Sequence, residues 1–289
     1  MSIKKLDELK LIRNGAAITQ RLEWLEGRIF WVGELKRADL IERFGISIQQ
    51  ASSDIRLYQE LAPNNLHYDG SIKSYLKAEL ASPLFKQSPE TWLYSSSGES
   101  LALRTIQRVT IDVVKPDIQA NVLMHISRAY HKRKPISILY QSRRNELPVW
   151  RTICPHSIVD TNIRPHIRAW QLEKREFGDI VPNRIIEIKD ANEDIEWIGE
   201  GADTKWNTLI DIQIIPSKQR TELQRQAIER DYKMINGILT IPTRMCLVYY
   251  QLSAMYLVDA VRQHRGEPLE YNIGLAVQNW QDLLQYVMD

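Results

Sequence analysis

Two groups of side chains in this chain of 289 residues have the types and spacing to meet a nucleic acid. The first is Gln49, Gln50, Ser52, Ser53 and Arg56, with Ser47 just ahead of them. Amides and guanidinium groups can make paired hydrogen bonds to base edges, and hydroxyls reach phosphates. On a helix these residues share the side left over by Ala51, Ile55 and Tyr58, which form an apolar stripe with Leu57 and Leu61. The second group is Tyr140, Ser142, Arg151, His166, Arg168 and Arg184. Tyr140 and Ser142 are two apart, as are His166 and Arg168, so on a strand each pair shares a face. Several Arg and His beside a Tyr and a Ser suit phosphate oxygens, with ring stacking for a base. Each group has a plainer reading. The first would be the polar face of an ordinary helical hairpin, the second a solvated basic face of a sheet.

Other chemistry is thinly represented. There is no HExxH or CxxC spacing, and His156 and His166 stand in no metal-ligand pattern. No Ser/His/Asp arrangement stands out, and Asp69-Gly70 reads as a turn. Trp92, Trp150, Trp170, Trp197 and Trp206 read as core or interface aromatics. No cofactor and no metal is expected. Two cysteines, Cys154 and Cys246, are far apart, which argues against a structural disulfide and for the cytoplasm. Hydrophobic residues make up 44% and charged residues 26%, the balance of a globular chain rather than a disordered one. No apolar run is long enough to span a bilayer, so no membrane partner is expected. The net charge is only +2. Residues 1–80 carry 12 Lys/Arg against 11 Asp/Glu, whereas 128–175 carry 11 against 3, with three histidines added. The basic excess therefore lies in the middle, where an anionic ligand is expected.

The elements that must position these groups follow from periodicity and turn signals. Residues 35–61 read as two helices with Gly45 at the break, Ser47 as N-cap and Gln50 completing a capping box. A helix over 18–30 precedes them, behind a charged leader at 1–16. Leu66-His67-Tyr68 and Ser74-Tyr75-Leu76 flank Asp69-Gly70 as a hairpin. Three helices and a hairpin make a winged helix-turn-helix, with Lys73 and Lys77 on the wing for phosphates. Residues 81–115 read as a connector with a Ser-rich stretch at 95–98 and an apolar run at 101–106. Pro116 opens a helix by its place. Strands at 136–142, 149–153, 167–172 and 184–188 form a small antiparallel barrel. A last unit has a strand at 208–215, a helix at 217–232 capped by Ser217, a strand at 238–241 and helices at 243–261 and 277–288. The 243–261 helix is apolar on more than one face, which reads either as a dimer surface or as a central core helix.

The run GELKRADLIERFGISIQQASSDIRLYQELAPNNLHYDGSIKSYL resembles the winged helix-turn-helix of bacterial WYL-domain transcription regulators, closest to the BrxR/CapW group that controls anti-phage defence operons. ILYQS, RTICPHSIV, RPHIRAW and FGDIVPNRI are similar to successive blocks of a WYL domain. The naming triplet falls at Pro165-His166-Ile167, which keeps neither its Trp nor its Tyr; a His in the second place is similar to the BrxR/CapW variant. The resemblance implies an α+β multidomain chain. Its parts are a winged helix-turn-helix DNA-binding domain (1–80), a connector (81–115), an Sm-like β-barrel WYL domain that senses a ligand (116–197) and a small α+β C-terminal dimerisation domain (198–289). It implies a homodimeric repressor of a defence operon on an inverted-repeat operator of double-stranded DNA. DNA would meet Ser47, Gln49, Gln50, Ser52, Ser53, Arg56, Lys73 and Lys77. A nucleotide or short nucleic-acid effector would meet Tyr140, Ser142, Arg151, His166, Arg168 and Arg184. The rival is a nucleic-acid-processing enzyme, which needs clustered carboxylates; the basic middle offers only Glu146, Asp160 and Glu173.

Overall fold

The computed structural model describes residues 11, 14–94, 109, 114–143, 145–161, 164–192, 194–269 and 274–288. Most of the charged leader, the Ser-rich stretch at 95–98 and the apolar run at 101–106 lie outside the described residues. The chain divides into two compact units, Met1–Ile111 and Asp112–Asp289.

In the first unit, helix α1 (Gly15–Trp31) buries Leu22, Leu25 and Ile29. Helix α2 (Arg37–Phe44) starts later than its apolar spacing suggested. Leu35 belongs instead to a two-residue strand, β1 (Glu34–Leu35). Gly45 ends α2 at φ +63°, with its N–H returned to Ile41, a conformation that costs glycine least. Helix α3 (Ile48–Leu61) follows, and the Ser47 hydroxyl accepts from the Gln50 N–H at 3.1 Å. The return half of the expected capping box does not form, because the Gln50 amide donates to Asp54 at 2.9 Å instead. The wing is β2 (Leu66–Asp69) and β3 (Ser74–Lys77), antiparallel with Tyr68 opposite Tyr75. Its turn is held by Asp69, which accepts from both the N–H and the hydroxyl of Ser71. The sheet order is β1-β3-β2. A short helix, α4 (Pro89–Tyr94), closes the described part, with Trp92 stacked on Trp31 of α1 at 5.4 Å.

The second unit opens with helix α5 (Ala120–Lys132), whose Val122, Ile126 and Ala129 face the sheet. Pro116 lies ahead of it in non-helical chain, so the helix starts four residues later than expected. Five strands follow: β4 (Ile136–Tyr140), β5 (Val149–Asp160), β6 (Pro165–Gln171), β7 (Glu176–Ile180) and β8 (Ile185–Asp190). Their order is β7-β6-β5-β4-β8. The first strand sits between the second and the last, as in an unrolled five-stranded barrel; among the described residues no ladder joins β7 to β8. Strand β7 escapes sequence reading because Glu176-Phe177-Gly178-Asp179 has almost no apolar alternation, and only its pairing with β6 makes it a strand. The core gathers Ile136, Ile138, Ile153, Ile167, Ala169 and Ile180 under α5.

A short helix, α6 (Thr204–Asn207), leads to β9 (Leu209–Pro216), α7 (Glu222–Asp231), β10 (Leu239–Arg244), α8 (Val248–Ala254), α9 (Val258–Gln263), β11 (Leu275–Val277) and α10 (Trp280–Leu283). The sheet order is β10-β9-β11. Helix α7 begins at Glu222, not at Ser217: Thr221 and Gln224 form a full capping box, while the buried Ser217 donates to Glu267 at 2.8 Å. The expected single helix over 243–261 is two helices. Thr243 still lies in β10, which ends at Arg244, a 3-10 turn covers Met245–Leu247, and the chain breaks at Tyr256, φ +59°. The break turns both halves toward one core of Val248, Leu252, Leu257, Ala260 and Val261. The last expected helix, 277–288, is reduced to α10 and a 3-10 turn, with Val277 in β11.

Candidate functional site

In the first unit the sequence-selected residues divide into those engaged within the fold and those left open. Ser47 caps α3, and Gln50 is bound to Asp54, itself clamped by Arg21 at 2.6 and 3.2 Å. Ser52 donates to the Ile48 carbonyl and accepts from Arg37. Gln49, Ser53 and Arg56 are exposed, and their side chains have no hydrogen bond or ion pair among the described residues. The free set thus runs along one side of α3 from its first turn, where a recognition helix meets base edges. Lys73 is exposed in the wing turn at φ +54°, and Lys77 is half-buried at the end of β3 opposite Leu66.

Beneath α3 lies a feature the sequence did not announce. Glu26 of α1 is buried, with no cationic partner among the described residues. It accepts from the Tyr58 hydroxyl at 2.8 Å, the N–H groups of Leu84 and Phe85 at 2.7 and 2.8 Å, and the Gln87 amide at 3.1 Å. Asn65 donates to the Tyr58 oxygen and exchanges two further bonds with Ser82. Burial, first of all, raises the Tyr58 pKa. The chain after the wing is therefore strapped, through Glu26, to the buried side of α3. A lone Glu in an apolar helical stretch was the only available signal.

In the second unit the six selected residues fall into two linked clusters. Tyr140 is buried at the end of β4, its hydroxyl accepting from the Val181 N–H at 3.3 Å, and the Arg151 guanidinium lies 4.9 Å from its ring centroid. Arg151 also donates to Gln171. Ser142 lies past the end of β4, so it does not share a strand face with Tyr140; its hydroxyl accepts from the Asn145 N–H. Arg184 ends a 3-10 turn next to this cluster, with its carbonyl bonded to the Gln141 N–H.

The other cluster is built on β6. Arg168 is 4% exposed. It donates to both oxygens of Asp203, from Nε at 2.8 Å and Nη2 at 3.2 Å, and from Nη1 to Asp179 at 3.2 Å. Burial would raise the Asp203 carboxyl, but the Arg168 bonds and charge more than reverse that and hold it below the usual range. The imidazole of His156 is 3.3 Å from the same carboxylate. Burial is the main cause that pushes His156 down, with Asp203 opposing it in part. The ring of His166 packs on that of Tyr250 at 4.8 Å, and the Tyr250 hydroxyl donates to Asp179. His166 has a buried Nδ1 with no hydrogen-bond partner among the described residues. Burial first, then the charges of Arg164 and Arg184, lower its pKa. His166 and Arg184 are therefore within electrostatic reach of each other, which ties the two clusters together. An imidazole nitrogen with no partner among the described residues has hydrogen-bonding capacity left for an oxyanion or a base edge.

Asp179, Asp203, His156, Tyr250 and Arg164 were not singled out from sequence. Asp203 had one signal, its place as N-cap of α6, where its carboxylate also accepts from the Trp206 N–H. Among the described residues no group of three or more His, Cys, Asp or Glu is placed to hold a metal ion. Both cysteines are free, and burial pushes the Cys246 thiol up to about 11. No helix of the described residues is long and apolar enough to cross a membrane.

The comparisons with known proteins agree with this layout. Residues 17–93 match the BrxR transcriptional regulator winged helix-turn-helix domain, 121–189 the WYL domain, and 209–283 the BrxR transcriptional regulator C-terminal dimerization domain. A winged helix, a WYL domain and that C-terminal domain in one chain define a WYL-domain transcription regulator. Over 284 residues the chain is 32% identical to the DNA-binding transcriptional repressor CapW of Escherichia coli strain KTE188, covering 92% of this chain and 91% of that protein. It is 29% identical to CapW of Pseudomonas aeruginosa over 294 residues, 95% of each chain, and 27% identical to CapW of Stenotrophomonas maltophilia over 257 residues, 82% and 83%. The chain belongs to the CapW family of BrxR-type regulators.

Proposed function

We propose that this chain is a DNA-binding transcriptional repressor that reads an inverted-repeat operator as a homodimer and is released by an anionic effector. The observation that carries the DNA half is the open row Gln49, Ser53 and Arg56 on α3, with Lys73 on the neighbouring wing. The relatives, DNA-binding transcriptional repressors, support the same reading. Ser47, Gln50 and Ser52 keep a place in the interface through their hydroxyl and amide groups, and Lys77 through a phosphate. We take the division at 1–80, 81–115, 116–197 and 198–289 as the working boundaries. The effector is a nucleotide or short nucleic acid held by Tyr140, Ser142, Arg151, His166 and Arg184, with Arg168 positioning β6 from below. The regulated genes are an anti-phage defence operon.

The test is a gel shift and footprint on the DNA upstream of the chain's own gene, with magnesium present. A stable shift without cleavage, over two half-sites about one or two helical turns apart, is the expected result. Arg56→Ala is expected to cost about 1–3 kcal/mol of operator affinity and to relax base preference. Wild-type affinity in Arg56→Ala at matched salt would overturn the assignment of α3, and strand cleavage would favour a nuclease.

A further inference from the structure

A concavity of the second unit rich in basic side chains lies away from the residues just assigned. It is a cavity of about 540 Å³ at the C-terminal end of α5. His125, Arg128 and Lys132 line it from one side of the helix, at spacings of three and four residues that stack side chains along one stripe. Arg133 ends the helix at φ +48°, and this turn carries Lys134 round to the same cavity. None of these five side chains has an ion pair or hydrogen bond among the described residues, although one carboxylate, Asp190, stands at the wall. Cations at a helix C-terminus are favoured by the backbone dipole, which accounts for one or two charges in the last turn. It does not account for a row that begins two turns earlier and faces a concavity. A low-dielectric cleft lined by one sign of charge concentrates counter-ions.

Two further features narrow the ligand. The volume is that of a small-molecule site rather than a track for a polymer. Ala129, Pro135, Ile136 and Ile195 give the cavity an apolar wall able to take a base, and a carboxylate such as Asp190 suits a ribose hydroxyl. The cavity is also distinct from the Tyr140–Arg184 cluster. Strand β4 pairs with β8 from Ile136 opposite Asp190 to Tyr140 opposite Ile185. The cavity lies at the first end and the cluster at the second, roughly 13 Å apart at the strand rise. We propose that this cavity is a second binding site, for a nucleoside polyphosphate, with Arg128, Lys132, Arg133 and Lys134 on the phosphate chain, His125 beside them as a hydrogen-bonding group, and Asp190 on the sugar.

The test is calorimetric titration of the full chain with ATP, AMP, inorganic tripolyphosphate and a short oligothymidylate. It is run on the wild type, on Lys132→Ala/Lys134→Ala and on Arg184→Ala. Lys132 and Lys134 are exposed and unbonded among the described residues, so the double variant should melt like the wild type. ATP is expected to bind tightest. Hydrogen bonds to charged groups put the loss in the double variant at about tenfold or more, with a similar deficit for AMP. Arg184→Ala should keep this binding. ATP affinity unchanged in the double variant, or lost in Arg184→Ala alone, places the nucleotide in the other cluster and overturns the proposal. So do tripolyphosphate matching ATP, the oligothymidylate outcompeting it, or no binding at all.

Discussion

Arg168 illustrates how residue type is legible when residue role is not. Sequence marks it as a ligand-facing cation two residues from His166. In the fold its guanidinium holds Asp203 with two bonds and Asp179 with a third. Those acids lie 35 and 11 positions away, a pairing no local pattern encodes. Removing one partner of a buried pair leaves the other charge unpaired and costs about 3–5 kcal/mol. Arg168→Ala is therefore expected to lower stability by that order in urea unfolding, so His166 and Arg184 are the cleaner probes of effector binding. A loss below about 1 kcal/mol, the range of exposed pairs, would show that the triad is not the buried clamp described. The two buried histidines give a second prediction. His156 and His166 both have pKa values lowered from the ordinary 6.5. Below 6.5 the unfolded chain binds protons that the folded chain resists, so stability must fall as pH falls. The melting temperature is expected to drop between pH 7.5 and 5.5. His166→Phe, which retains a ring against Tyr250, should drop less; an identical slope in that variant would remove His166 from the account.

At the scale of elements, whatever rests on period and caps was readable. Helix α3, its Ser47 cap, the Gly45 break and the Asp69-Gly70 wing turn are local devices, each set by a few neighbouring residues. Elements that exist only through a distant partner were not. Strand β1 is two residues pinned by Tyr75 and Leu76, and β7 is a polar run held by β6. The break at Tyr256 has no glycine or proline to announce it; it is imposed by the core that both α8 and α9 must reach. The strap over α3 is the clearest case of an element made by one buried group. Tyr58→Phe removes one of the four donors to Glu26 among the described residues and takes from the Asn65 amide one of its two acceptors. It is expected to cost about 1–3 kcal/mol, the penalty for unsatisfied buried polar groups. Because Tyr58 belongs to α3, hydrogen exchange of the 82–87 amides should quicken together with that of α3. Faster exchange in only one of the two would separate the strap from the reading head.

For the whole molecule the decisive quantity is how little net charge the reading head carries. With 12 Lys/Arg against 11 Asp/Glu in residues 1–80, one head gains little from bulk attraction to phosphates, the term that supplies most non-specific affinity. Operator binding on the proposed reading must come from two heads held at a fixed spacing, so that the second contact is made at high effective concentration. The dimerisation match at 209–283 places that duty on the C-terminal part. There, Tyr256 is 80% exposed although aromatic, and it holds a positive φ that bulky residues rarely adopt. Leu269 and Tyr249 line the same concavity and are exposed as well. An exposed apolar cluster on a strained turn is the expected mark of a surface that a second copy covers. Tyr256→Asp puts a charge there without touching the core residues on either side. In sedimentation at micromolar concentration the wild type is expected to be a dimer and Tyr256→Asp largely a monomer. In gel shifts the variant should lose the operator while α3 and the wing are unchanged by circular dichroism. A Tyr256→Asp monomer that still binds one operator as tightly as the wild-type dimer would mean that a single head suffices, and the argument from charge balance to obligatory pairing would be wrong.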